Sequence, residues 1–207
     1  MRIGKISLAA LIVFLLVAPK VSSAVEVDEL NARIEGLEKR LASLEKSLLP
    51  LIEKAERESQ LALQQQQARL RMRKDADNYS RNELQEIEKL YQVANKKWGT
   101  KEAQESLQKL VEKYDKANRT GCAILYLGQM SKGDDQVKHL QQAIEDFDDC
   151  FYGDGVQVGA YARFMLGHVY LKGDKLQEAE KLFDELREGY AGAIDHRGNL
   201  LLAMLPK

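Results

Sequence analysis

Leu166-Gly167-His168-Val169-Tyr170, followed by Ala179-Glu180-Lys181-Leu182-Phe183-Asp184-Glu185-Leu186-Arg187-Glu188-Gly189-Tyr190, is the stretch from which the fold can be read. Leu166, Gly167 and Tyr170 mark its first part, and Ala179, Phe183, Leu186 and Tyr190 its second. The same order of residue types returns upstream. Leu127-Gly128 is followed by Ala143 and Phe147, with about three more residues between the parts, around Lys132-Gly133-Asp134-Asp135. Leu90, Ala94, Ala103, Leu107, Leu110 and Tyr114 repeat the pattern again without the glycine. Self-similarity at an interval of tens of residues marks a repeat array, in which each unit buries its apolar face on the next.

These spacings resemble the tetratricopeptide (TPR) repeat, a 34-residue helix-turn-helix. The resemblance implies three repeats, at about 84–117, 121–157 and 160–193. Small residues such as Gly167 and Ala179 would let paired helices approach, while Tyr170 and Phe183 fill the space between pairs. Gly173-Asp174 falls at the family's interhelix turn. A last helix from His196 to Leu205, carrying Leu200, Leu201, Met204 and Leu205, would cap repeat three, with Pro206 ending it. In this family the first helices line a concave groove for peptides or partner helices. Aligned on the repeat, Gln92, Asn95, Gln129, Tyr161, Phe164, His168 and Lys172 would face it. Polar groups with a few aromatics suit an extended peptide, although ordinary core packing accounts equally well for Tyr161 and Phe164.

Upstream of the repeats the pattern changes. Val27, Ile34, Leu41 and Leu48 fall at heptad position a, and Leu30, Leu37, Leu44 and Leu51 at d. A period of about 3.5 residues keeps one narrow seam turned to a partner helix; a helix packed on a globular core has a broader stripe. Arg33 and Arg40 sit at g, Glu38 and Glu45 at e. In a parallel assembly Arg33 meets Glu38 of a neighbouring chain and Arg40 meets Glu45, pairs that set orientation more than they stabilise. Arg33-Ile34-Glu35-Gly36-Leu37-Glu38 and Arg40-Leu41-Ala42-Ser43-Leu44-Glu45 resemble the trimerisation motif of short parallel coiled coils, so a homotrimer is expected first and a dimer second. The alternative is a segment folded back on its own repeats.

Pro50 should end or bend the coil, because it lacks a backbone donor and crowds the preceding turn. Residues 51–82 then read as a polar helical spacer: the seam decays at Ala55, Glu58, Ala62 and Gln65, and Arg69, Arg71, Arg73 and Lys74 form a small basic cluster. Asp75 to Asn82 is the expected domain boundary.

The first 24 residues are of a different kind. Arg2 and Lys5 precede an apolar run from Ile6 to Ala18, and Ser22-Ser23-Ala24 offers small residues for a peptidase. This is the pattern of a cleaved secretory leader, with Val25 the first mature residue. The run is too short to span a ~30 Å hydrocarbon core comfortably. Without a cysteine after the cut, no lipid attachment and no stable membrane anchor are expected. Cleavage would take the formal charge from −1 to about −4. Charged residues at 30% and aromatics at 7% suit long helices, and no basic stripe with interleaved aromatics points to nucleic acid.

Catalytic and metal chemistry find little support. His139, His168 and His196 lack ligand spacing. Asp146, Asp148, Asp149 and Asp154 do not follow a calcium loop, and Gly153-x-Gly155-x-x-x-Gly159 follows no strand. No enzyme, cofactor or metal is expected. Cys122 and Cys150 would lie at neighbouring ends of the repeat-two helices, either as a disulfide or as two buried free thiols.

The order of leader, short parallel coil, polar spacer and C-terminal repeats resembles the periplasmic YbgF/CpoB family. That resemblance implies a link to the Tol–Pal envelope system and to the coordination of outer-membrane constriction with wall synthesis. The expected protein is all-α, periplasmic or secreted, an oligomeric scaffold for a protein or peptide partner in the envelope; an envelope-assembly chaperone holding client segments is the alternative.

Overall fold

The computed structural model describes the backbone of residues 24–206 and side chains from Glu29 onward. The leader lies outside the described residues, as does the Val27 side chain that would open the seam. Among the described residues seven α-helices follow one another: α1 (Ala24–Lys74), α2 (Arg81–Lys96), α3 (Lys101–Lys113), α4 (Asn118–Met130), α5 (Gly133–Asp146), α6 (Val158–Lys172) and α7 (Leu176–Gly189). Among the described residues there is no strand, only isolated bridges at Phe151–Gln157 and Ile194–Leu200. None of these helices is long and apolar enough to cross a membrane. The protein divides into two compact units, Met1–Leu51 and Ile52–Lys207.

In the first unit every described seam residue faces solvent. Ile34 is 47% exposed and Leu37 61%, with Leu30, Leu41, Leu44, Leu48 and Leu51 similar. Arg33, Glu38, Arg40 and Glu45 make no ion pair with another described side chain, whereas Lys39 pairs along the helix with Glu35 at 2.6 Å. Of the end or bend expected at Pro50, the end does not occur: α1 runs through it. Proline costs the helix the bond to the carbonyl of Lys46. On a solvated helix that carbonyl turns to water, so the loss is one bond rather than the helix.

The second unit is an array of three helix pairs: α2 with α3, α4 with α5, α6 with α7. Each pair packs on the next through α3–α4 and α5–α6. Local chemistry sets the helix starts. Ser80 caps α2: its hydroxyl accepts from the Glu83 backbone N–H, while the Glu83 carboxylate accepts from the Ser80 N–H at 2.8 Å. Thr100 caps α3 by accepting from the Ala103 N–H at 3.2 Å. Asp174, with φ 56°, turns α6 into α7.

The repeated positions are the interior. Ala94, Ala103, Leu107, Leu110 and Tyr114 in the first pair are buried, as are Leu127, Ala143 and Phe147 in the second and Leu166, Ala179, Phe183 and Leu186 in the third. A methyl on Gly167 would strike the Phe183 ring, and one on Gly128 would sit 3.1 Å from Leu140. Glycine there sets how closely the paired helices approach. In the first pair Tyr91 occupies the glycine's position and the smaller Leu107 that of Phe183; both are buried.

Two expectations for this unit need correction. The C-terminal part of α1 is no exposed spacer. Ala68 is fully buried, and the Gln60 and Gln64 amides both donate to the Gly192 carbonyl, at 2.7 and 2.9 Å. Arg71 bonds Asp75 at 2.8 Å, and Asp75, itself buried, accepts from the Asn118 backbone N–H. Glutamine and arginine read as polar surface by composition, yet their long stems cover apolar ground while their heads bond across helices. The helix expected from His196 to Leu205 is likewise replaced by a turn and a 3₁₀ segment, Leu201–Met204. The Asp195 carboxylate accepts from the N–H groups of Arg197 and Asn199, both at 2.8 Å, and Gly198 holds φ 77°. An acid bonding the backbone just ahead competes with helix and wins.

Candidate functional site: an aromatic groove

The first helices of the pairs carry tyrosines and phenylalanine at positions that bring their rings together. Tyr91 on α2 stacks on Tyr126 on α4, with centroids 5.7 Å apart and planes 4° from parallel. Trp98, in the α2–α3 turn and half exposed, meets Tyr126 edge-on at 4.9 Å. Tyr126 also touches Tyr152 at 5.3 Å, and Tyr152 touches His196 at 4.9 Å. His196 lies 5.4 Å from Tyr161 on α6. From there the rings of Tyr161, Phe164, His168 and Phe183 follow at 6.0, 4.6 and 5.4 Å. Edge-on and offset contacts of this kind suit the ring quadrupoles and stiffen the track.

The long connection between α5 and α6 supplies the middle of this track, and it is well anchored. The Asn118 side chain, fully buried, donates to the Phe151 carbonyl at 2.7 Å and accepts from its N–H at 2.8 Å. The Tyr152 hydroxyl donates to the Cys122 carbonyl at 3.0 Å. Gly155, at φ 100°, lies against Gln64 of α1, with space for a methyl only 3.0 Å from its Cβ. The connection thus holds Asp154 beside His196, whose Nδ1 is 2.7 Å from the carboxylate. Burial pushes the Asp154 carboxyl up, but the His196 bond, its charge and the Val156 N–H outweigh that and hold it below its ordinary value.

The residues expected in the groove fall into two groups. Phe164, His168 and Lys172 line one pocket of about 590 Å³ with Gln136, Met165 and Val169. Burial, then the Lys172 charge, lowers His168 from the ordinary imidazole value and so favours its neutral form. Tyr161 sits between this pocket and His196. Asn95 lies at the other end, where its side-chain oxygen accepts from the Tyr126 hydroxyl at 2.9 Å. Gln92 is turned along its own helix to Glu88, donating at 2.6 Å, and Gln129 is half-buried on α4 with no part in the track. Tyr91, Trp98, Tyr126 and Tyr152 are not among the residues expected from sequence, and Asp154 and His196 are weighed there as site residues only for a metal. Tyr91 and Tyr126 carried a usable signal: each flanks a repeated leucine on a first helix. Trp98, Tyr152, Asp154 and His196 come from connections, which have no period to read.

The two cysteines are free and buried. The Cys122 thiol donates to the Phe151 carbonyl, and the Cys150 sulfur accepts from the Arg71 guanidinium, both at 3.4 Å. Of the two alternatives weighed for the pair, buried thiols describe this structure. Burial pushes Cys150 up to about 12 and Cys122 higher still, so neither supplies a thiolate at neutral pH.

An array of three helix pairs, with a track of aromatic rings that opens into a pocket at Phe164 and His168, is therefore the class this architecture defines. Compared with known proteins, the chain matches no family model, no curated protein and no solved structure.

Proposed function

We propose that this protein is an exported binding scaffold that joins three copies through the seam of its first unit and holds an extended peptide in the aromatic groove of its second. The observation that carries the reading is the unbroken ring track from Trp98 to His168, which draws on all three helix pairs. Tyr152 is buried within the track, while Trp98, Tyr126, Tyr161, Phe164 and His168 are at least partly exposed and offer rigid contact area at little entropic cost, which is how a groove holds an extended chain. Exposed leucines flanked by unpaired Arg33, Glu38, Arg40 and Glu45 support parallel self-association. Three linked grooves can raise avidity ~10²–10⁴-fold over one. The YbgF/CpoB-like order of segments supports a partner in the cell envelope, where division or envelope maintenance would use such a scaffold.

The test is in two parts. Light scattering of the chain from Val25, beside one starting at Ile52, should give a trimer and a monomer; a monomer in both would remove the self-association. Peptides selected from a random library should bind the intact chain and lose affinity for Tyr126→Ala and Phe164→Ala. Equal binding by these folded variants would remove the groove. One dominant sequence class is expected; many unrelated peptides displacing one another would instead favour a chaperone.

A further inference from the structure

We infer that the middle of the groove, at Asp154, receives an arginine or lysine side chain of the bound peptide. The inference rests on the peptide-groove reading above and narrows it to basic segments.

Asp154 brings a negative charge to the centre of the ring track, and that charge is only partly used. Its carboxylate accepts from His196 at 2.7 Å and from the Val156 N–H at 3.3 Å. The side chain remains 45% exposed. Among the described residues no lysine or arginine lies within ion-pair distance of it. The rings that a ligand can reach beside it are the partly exposed Tyr161 and Tyr126 and the half-exposed Trp98. His196, bonded to Asp154, touches Tyr161 and the buried Tyr152, and Tyr152 backs Tyr126. Aromatic faces are electronegative and attract cations, most strongly beside a carboxylate.

The protein itself shows a cation using this track. The Arg119 guanidinium stands 4.3 Å over the Tyr91 ring, the ring stacked on Tyr126, and is held by Glu88 at 2.8 Å. Ring, cation and carboxylate are there complete within one chain. At Asp154 the carboxylate is bonded on one side to His196, and its exposed side has no arginine or lysine among the described residues to complete it. The pocket end of the groove has the opposite sign, since Lys172 lines it and no carboxylate does. A basic side chain therefore has one favourable station, which fixes the direction of the peptide.

The experiment uses the full mature chain and its single tryptophan, Trp98, as reporter. Tryptophan-free peptides selected from a random library are synthesised in two forms, with arginine and with citrulline, its neutral near-isostere. Their affinities are read from Trp98 emission on the wild type and on Asp154→Asn. The selected peptides should contain a basic residue, and citrulline should weaken binding about tenfold. Asp154→Asn should weaken the arginine form as much and leave the citrulline form unchanged, since the two changes remove one interaction. Citrulline and arginine peptides that bind alike, or a selection without basic residues, would overturn the inference. The groove would survive that result if Tyr126→Ala and Phe164→Ala still lose binding. If no peptide is selected, or if those variants bind as well as the wild type, groove and inference fall together.

Discussion

Leucine has two fates in this protein. On α1, Leu37 and Leu51 stand 61% and 62% exposed, whereas Leu107, Leu110 and Leu140 in the helix pairs are completely buried. The residue is the same and so is the helix; the difference lies in what surrounds it in sequence. In the first unit leucines recur at three and four residues with charges on both flanks, which leaves a seam too narrow to build a core from one helix. In the second unit they alternate with alanine and glycine, which let a second helix approach. One pattern leaves its leucines in solvent and the other closes on itself.

The sharpest way to break this contrast is to open the self-contained core. Phe183, filling the space that Gly167 leaves, should cost about 3–5 kcal/mol when replaced by alanine, seen as a lower urea midpoint for the chain starting at Ile52. A loss under about 1 kcal/mol would mean that the third pair is loosely packed and the contrast overstated.

A smaller effect is expected where the array meets α1. Gly155 has φ 100° and its missing methyl would press on the Gln64 Cβ and backbone. Gly155→Ala adds backbone strain to that contact and should destabilise by roughly 1–3 kcal/mol. Hydrogen exchange should localise the loss to the connection before α6 and to α1 around Gln64. An unchanged pattern there would show that this part of α1 does not depend on the glycine.

These two sites also mark what a reader of the sequence can and cannot see. Phe183 and Gly167 announce themselves because the repeat returns them in register, and every residue used to define the repeat is buried or half-buried. The apparent absence of a glycine in the first pair is a swap of sizes, Tyr91 for glycine and Leu107 for phenylalanine. Gln60, Gln64 and Arg71 were invisible for a physical reason: a polar head that bonds a backbone carbonyl or a buried acid looks the same in sequence as one that bonds water. The same holds for the groove. Tyr161, Phe164, His168 and Lys172 follow from helical register, but Trp98, Tyr152, Asp154 and His196 come from connections whose course is set by tertiary contacts. The C-terminal helix was misread because Leu200, Leu201, Met204 and Leu205 suit a helix; Asp195 and Gly198, just before them, commit the chain to a turn.

In the seam, substitution should do nothing to the fold and much to the assembly. Leu37→Ser with Leu44→Ser should leave the urea midpoint of the dilute monomer within about 0.5 kcal/mol of the parent. Light scattering at working concentration should nevertheless give a monomer. A clear fall in monomer stability would mean that these leucines pack within their own chain, and the two fates of leucine would become one.

The smallest effect concerns Asp154, where the array meets its groove. Its carboxyl is held below its ordinary value of about 3.8 in the folded chain. A lowered folded value means that the charged form is favoured by folding. The resulting stabilisation is complete above the unfolded value and disappears as pH falls through the folded one. The side chain is 45% exposed, so solvent screens the pair with His196 and leaves a few tenths of a kcal/mol. Thermal melts of wild type and Asp154→Asn should therefore differ slightly at pH 5. The gap should narrow below about pH 4 as the wild type loses the contribution the variant never had. A gap that widened there would reverse the sign, and the carboxylate would have to be a net cost to the fold, kept in the groove for the cation it receives.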